Sequence, residues 1–211
     1  MAVPLDGIRA IHHAFRKDLA AIDAAAYSAA RGQSGLDLVV KRFEFFNEIL
    51  VWHASGEEDF VFTTMENVAP LVAEAYERDH RGLDFLFDSL QKAVKLADPL
   101  VIARATAEFN FHLSFHLGKE EAHLYRIFNE RVSLQDQAQI IGKMSQKIPK
   151  ERFPEAIRWL FPLLGTDDRV NMTRLWQQAL PAPAFAGATQ IIKDAIGIEW
   201  GDLVFRFPEL K

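Results

Sequence analysis

Trp52-His53-Ala-Ser-Gly-Glu57-Glu-Asp-Phe-Val-Phe62 carries most of the information about the architecture, because it is answered later in the chain by Phe115-His116-Leu-Gly-Lys-Glu120-Glu-Ala-His123-Leu-Tyr125. In each stretch a histidine is followed four residues on by a glutamate. On an α-helix such positions differ by about 40° around the axis and about 6 Å along it, so each His–Glu pair points one way. Each pair can offer one imidazole and one carboxylate to a common interior.

On either side of these stretches, two more histidines lie on segments with helical apolar spacing. His12 accompanies Ile8, Ile11, Phe15, Leu19 and Ile22, and His80 accompanies Leu83, Leu86, Phe87 and Leu90. The order is a helix with His, a helix with His-x3-Glu, then both again. The predicted helices run from near Leu5 to near Arg31, from about Leu36 through Phe62 or a little beyond, from about Leu71 to Leu96, and from Pro99 to about Arg131. Gly32-Gln-Ser-Gly35 and Pro70 punctuate the first two junctions, and Asp98-Pro99 supplies an N-cap with proline in the first helical position. Four long helices with short connections predict an all-α protein, an up-down-up-down four-helix bundle in which facing helices build a metal site. Two equivalent halves, each with three metal-binding residues, fit a near-symmetric dinuclear centre.

The donor chemistry narrows the metal. The chain has no cysteine, so disulfides, thiolate zinc sites, iron–sulfur clusters and cysteine nucleophiles are excluded. Imidazole nitrogen with carboxylate oxygen favours iron or manganese over structural zinc. Without a metal, burying four imidazoles and two carboxylates would cost roughly 1 to 3 kcal/mol for every group left unsatisfied.

At 211 residues the chain can form one domain with a large core, or a domain with an appendage, and 49% hydrophobic with 25% charged residues is ordinary for a globular protein. A net charge of −5 without a basic run or stripe argues against nucleic acid and anionic membranes as partners. Met-Ala-Val-Pro-Leu-Asp is no signal peptide, and no apolar run approaches ~18 residues, so a cytoplasmic location is expected.

Residues 132–211 read as a helical C-terminal extension packed on a bundle formed by residues 1–131. Ser133 starts a helix to about Lys147, another is bent at Pro162, and Thr166-Asp-Asp caps one ending near Leu180. Pro181 to Gly187 reads as a loop before a short helix and an aromatic tail. Phe153, Trp159, Phe161, Trp176 and Trp200 make the extension too hydrophobic for disorder.

The set H…HxxxE…H…HxxxE resembles the hemerythrin-like family, the hemerythrin HHE cation-binding domain, over residues 5 to 131, with His12, His53, Glu57, His80, His116 and Glu120 in the motif positions. The resemblance implies two iron ions, or manganese or another divalent metal, with an oxo or hydroxo bridge, Glu57 and Glu120 as bridging carboxylates and the histidines as terminal ligands. The oxygen-carrying branch has HxxxH on its third helix and a histidine with a downstream aspartate on its fourth. Here Asp84 follows His80 by four residues, which speaks against reversible oxygen transport.

Around this set, His12 is preferred to the adjacent His13 because its spacing to Phe15 and Leu19 repeats that of His80 to Leu83 and Phe87; His13 then lies at the boundary of the site. His112, one turn before His116, is either a further ligand, a proton donor at the entrance or an ordinary buried histidine. His123 is read as packing or hydrogen-bonding behind the ligands. Glu58 and Glu121 read as solvated, with hydrogen bonding to a ligand histidine the alternative, and Tyr125 as an amphipathic core residue, with a redox-active phenol or ligand as the alternative. The functional expectation is a di-iron protein that binds or senses O2, NO, peroxide or the iron and redox state. A peroxide-decomposing oxidoreductase and a metal-stabilised interaction module are the alternatives, and the extension is a candidate homodimer contact.

Overall fold

The computed structural model describes residues 3–210, and these are helical without a strand. α1 (Pro4–Ala30) leads through a short turn to α2 (Asp37–Gly56), a π-helical segment (Glu57–Phe62) and α3 (Thr63–Val68), which together make one long rod. α4 (Val72–Leu96) and α5 (Pro99–Lys119) come next, and α5 continues through a second π-helical segment (Glu120–Leu124) into α6 (Tyr125–Arg131). The chain divides into two compact units. One comprises residues 15–132; the other comprises residues 1–14 and 133–211.

The 15–132 unit is the helical bundle. Its core is the apolar stripe of each helix: Phe15, Leu19 and Ile22 from α1, Phe43, Phe46 and Ile49 from α2, Leu90 and Ala93 from α4, Ile102, Phe109 and Leu113 from α5. The phenylalanines interlock, Phe15 edge-on to Phe46 at 5.5 Å, Phe43 stacked on Phe87 at 5.1 Å, and Phe87 edge-on to Phe109 at 5.8 Å. Such geometries add roughly 0.5 to 1.5 kcal/mol per pair beyond the area they bury.

Sequence punctuation sets the register of the helices. The Asp98 carboxylate accepts from Leu100 N at 2.9 Å and Val101 N at 3.2 Å, satisfying two of the amides that a helix start leaves open. Asp98→Ala should therefore lower stability by about 1 kcal/mol. A chemical-denaturation midpoint equal to that of the wild type would contradict that role.

The other unit carries α7 (Leu134–Ser145), α8 (Phe153–Leu163), α9 (Thr166–Ala179), α10 (Ala182–Ile196) and α11 (Trp200–Arg206). Ile157, Phe161, Met172, Ile192 and Leu203 form its centre, with Trp176 against Phe161 at 5.2 Å. Residues 182–187, expected as a loop, are the first turns of α10. Pro181 stands at its N-cap and Pro183 falls in the first turn, where a missing amide costs nothing, and the alanines between favour helix. Pro162 is the penultimate residue of α8 and lies inside the helix.

Candidate metal centre

The two His-x3-Glu segments meet in the core of the bundle unit. Glu57, His80, His116 and Glu120 are buried and each offers a ligand atom within 4.8 Å of every other. His116 Nε2 stands 3.2 Å from Glu120 Oε1, His80 Nε2 is 4.0 Å from that oxygen, and the two imidazole Nε2 atoms are 3.1 Å apart. Glu57 Oε2 lies 3.7 Å from His80 Nε2 on one side and 3.3 Å from His53 Nε2 on the other. His53 is buried, and its ring meets Phe15 edge-on at 5.3 Å. His12, fully buried, lies three residues before Phe15 on α1.

Donors shared by one first-row cation at about 2.1 Å are separated by roughly 3.0 to 4.2 Å for angles between 90° and 180°. The separations among these imidazoles and carboxylates fall in that range. The donor set, three imidazoles and two carboxylates in this unit, also fits iron or manganese without a thiolate.

A local feature aims these groups. Both glutamates are the first residues of π-helical segments, and at the second of them the Tyr125 amide donates to the Glu120 carbonyl, five residues back. Such a turn takes in an extra residue and rotates the helix beyond it, and it recurs at functional sites. Up to the glutamate the spacing is α-helical, so His and Glu share a face. Past it, the rotation brings Val61 and Phe62 in one half, and Leu124 and Tyr125 in the other, into the core. The sequence carries this only as the parallel between the two stretches.

The imidazoles are held from behind. Glu58 accepts at 2.8 Å from His80 Nδ1, and Asp79 lies 3.4 Å from His116 Nδ1 and is itself ion-paired with Lys119. Glu58 thus takes the hydrogen-bonding alternative while its side chain stays half exposed. Asp79 and Lys119 did not stand out in the sequence. The available signal was that Asp79 precedes His80 as a flanking carboxylate, whose target lies one helix further on. Such partners fix the tautomer and leave Nε2 for the centre.

Tyr125 is buried and its hydroxyl donates to Glu57 Oε1. The remaining candidates lie elsewhere. His112 is exposed against Phe111 at 5.2 Å, because the inward stripe of α5 runs through Phe109, Leu113, His116 and Glu120. His13 is exposed and bonds Asp168 at 2.8 Å. His123, also exposed, stacks on Tyr76 and meets its hydroxyl at 2.9 Å. Glu121 pairs with Arg16 at 2.8 Å.

Burial governs protonation. It drives the Glu57 and Glu120 carboxyls well above the usual range, helped at Glu57 by the Glu120 charge and at Glu120 by Asp79. It drives His80 and His116 below the usual histidine range, so both rings are neutral near pH 7, the state a metal requires. Asp79 feels some burial too, yet the Lys119 and His116 hydrogen bonds hold it below the usual carboxylate range.

A cavity of ≈ 60 Å³ opens against the donors, lined by His53, Glu57, His80 and His116 and by apolar Leu50, Leu83, Phe87, Phe109 and Leu113. A few diatomic or water-sized molecules fill such a space.

Residues 3–101 match the family model of the hemerythrin HHE cation binding domain. The N-terminal part of the chain is thus similar to a hemerythrin HHE cation-binding domain. The matched stretch ends at the third residue of α5, so His116 and Glu120 lie beyond it; they cluster with His80 and Glu57 as groups that could hold a cation. The chain is 24% identical over 177 residues to the zinc finger protein BRUTUS of Arabidopsis thaliana, and 23% and 21% identical over 182 and 183 residues to two BRUTUS-like zinc finger proteins of that plant. Each match covers 81% of this chain and 14% of the relative, so the chain spans about one seventh of their length. No solved structure matches the chain. Among the described residues, no helix is long and apolar enough to cross a membrane.

Proposed function

We propose that this protein holds two iron ions between the halves of its hemerythrin domain and binds or senses a small ligand there, O2, NO or peroxide. One observation carries the reading: Glu57 Oε2 faces His53 on one side and His80 on the other, while Glu120 closes the His80–His116 side. A carboxylate so placed can serve two ions. His53 would serve one, and His80 and His116 the other; His12, the remaining motif histidine, is buried on α1. When bound, the iron pair supplies a redox-active centre with room for a small ligand.

The chain's own part is to position and exclude. Glu58 and Asp79 orient the imidazoles, while Leu50, Leu83, Phe87, Phe109 and Leu113 keep bulk water from the cavity and favour a small, weakly polar guest. Elemental analysis after iron-replete expression should give two irons per chain, with near-ultraviolet and visible bands that differ between the oxidised and reduced states. A purified protein with neither iron nor manganese would end this reading.

The cavity supplies a separate test. Leu83→Trp should fill it at a cost of roughly 1 to 3 kcal/mol in overpacking. Metal content should persist while the spectral change on adding NO is lost. An undiminished NO response would place ligand binding elsewhere.

A further inference from the structure

The repeat that makes the two halves alike also shows where they differ. Glu57 and Glu120 each open a π-helical segment, and the residue five positions on enters the core in both: Phe62 after Glu57, Tyr125 after Glu120. Phe62 presents only a ring, tilted against His80 at 5.0 Å. Tyr125 presents a ring and a hydroxyl, and the hydroxyl crosses from the second half to Oε1 of Glu57 in the first. The two oxygens of Glu57 are thereby divided, Oε1 to the phenol and Oε2 toward His53 and His80. At the equivalent place on the other side the chain has phenylalanine, which has no proton to donate.

We propose that Tyr125 is a positioning residue that commits one oxygen of Glu57 and leaves the other to the metals, so that the two cation positions are unequal in affinity. This rests on the two-metal reading. It replaces the near-symmetric centre suggested by the sequence repeat with a polarised one, whose asymmetry is written at residues 62 and 125.

The chemistry is that of an outer hydrogen bond to a ligating carboxylate. Such a bond fixes the rotamer and selects the coordinating oxygen, and losing it costs about 10- to 100-fold in metal affinity. The phenol is buried, and its hydroxyl is the donor in this contact. Tyr125→Phe removes the donor alone and gives both halves the same side chain.

The test is a titration of the metal-free full-length chain with Co2+, followed by its visible absorption and by calorimetry. Wild type should take up two ions in two resolved steps. In Tyr125→Phe one step should weaken at least about tenfold, with the other within about threefold and circular dichroism unchanged. A general loosening of the fold would weaken both. Phe62→Tyr, which puts a hydroxyl at the equivalent position of the other half, should narrow the gap between the steps, and this variant carries the test should Tyr125→Phe fail to fold. Two equal sites in wild type, or unchanged steps in the variant tested, would overturn the inference and leave the two-metal reading standing. Uptake of fewer than two ions by wild type would overturn both.

Discussion

Glu57→Ala is expected to abolish paired cation binding while the bundle stays folded. Glu57 Oε2 is the carboxylate oxygen that approaches His53, at 3.3 Å, and His80, at 3.7 Å, so its loss removes a donor from both positions at once. Residues that merely orient ligands cost 10- to 100-fold when removed, so a shared ligand should cost at least about 100-fold. The consequence for stability is measurable. An ion present at 100 times its Kd stabilises the native state by about 2.7 kcal/mol, which for a chain of this size raises Tm by roughly 5 to 10 °C. That metal-dependent rise, read by comparing melts in iron and in chelator, should vanish in the variant together with iron in elemental analysis. A Glu57→Ala protein that kept two ions and its full shift would remove Glu57 from the centre.

Stripped of metal, the protein should respond to pH through the same carboxylates, with a sign set by burial. Glu57 and Glu120 have folded-state values raised well above the usual range, so the native state holds their protons more tightly than the unfolded chain does. Their contribution is complete below the ordinary glutamate value of about 4.3 and is lost as pH rises through the raised values. His80 and His116, lowered by burial, act oppositely: their contribution is present above about 6.5 and is lost as pH falls through the lowered values. Glu57→Gln isolates the carboxylate part, since it replaces one titrating group with a neutral amide of the same shape. Metal-free denaturation midpoints of variant and wild type should diverge as pH rises, the variant gaining. Curves that stay parallel would refute the buried-proton account. With metal present the trend reverses, because cations and protons compete for the same atoms and the metal-dependent part of stability grows with pH.

The chemistry of the interface between the halves underlies both expectations. Burial favours the uncharged forms of the imidazoles and carboxyls alike, and cations would compete with protons for the same atoms. The bundle around them, with Phe15, Phe46, Phe43, Phe87 and Phe109 in edge and stacked contacts, keeps the site dry enough for that competition to matter.

Much of this was legible in the sequence because it depends on the helical repeat. The spacing of four between His53 and Glu57, and between His116 and Glu120, fixes which groups share a face, and the apolar stripes around His12 and His80 fix which faces turn inward. Asp98-Pro99 fixed a helix start for the same local reason, since the cap acts on amides two and three residues away. The alanine-rich stretch at 182–187 misled because proline signals a break only where its missing amide matters, and at a helix start it does not.

Relations between helices were not legible in this way. That Glu58 reaches His80 and that Asp79 reaches toward His116 depend on crossing angle and register, which no spacing along one helix encodes. The π-helical turns belong here too: inserting one residue disturbs backbone regularity, and the surrounding packing must offset that loss. Those turns place Phe62 and Tyr125 at matching depth. Local spacing was enough to specify a set of donors in two matching halves; the packing of one half against the other settled that a single phenol from the second reaches the carboxylate of the first.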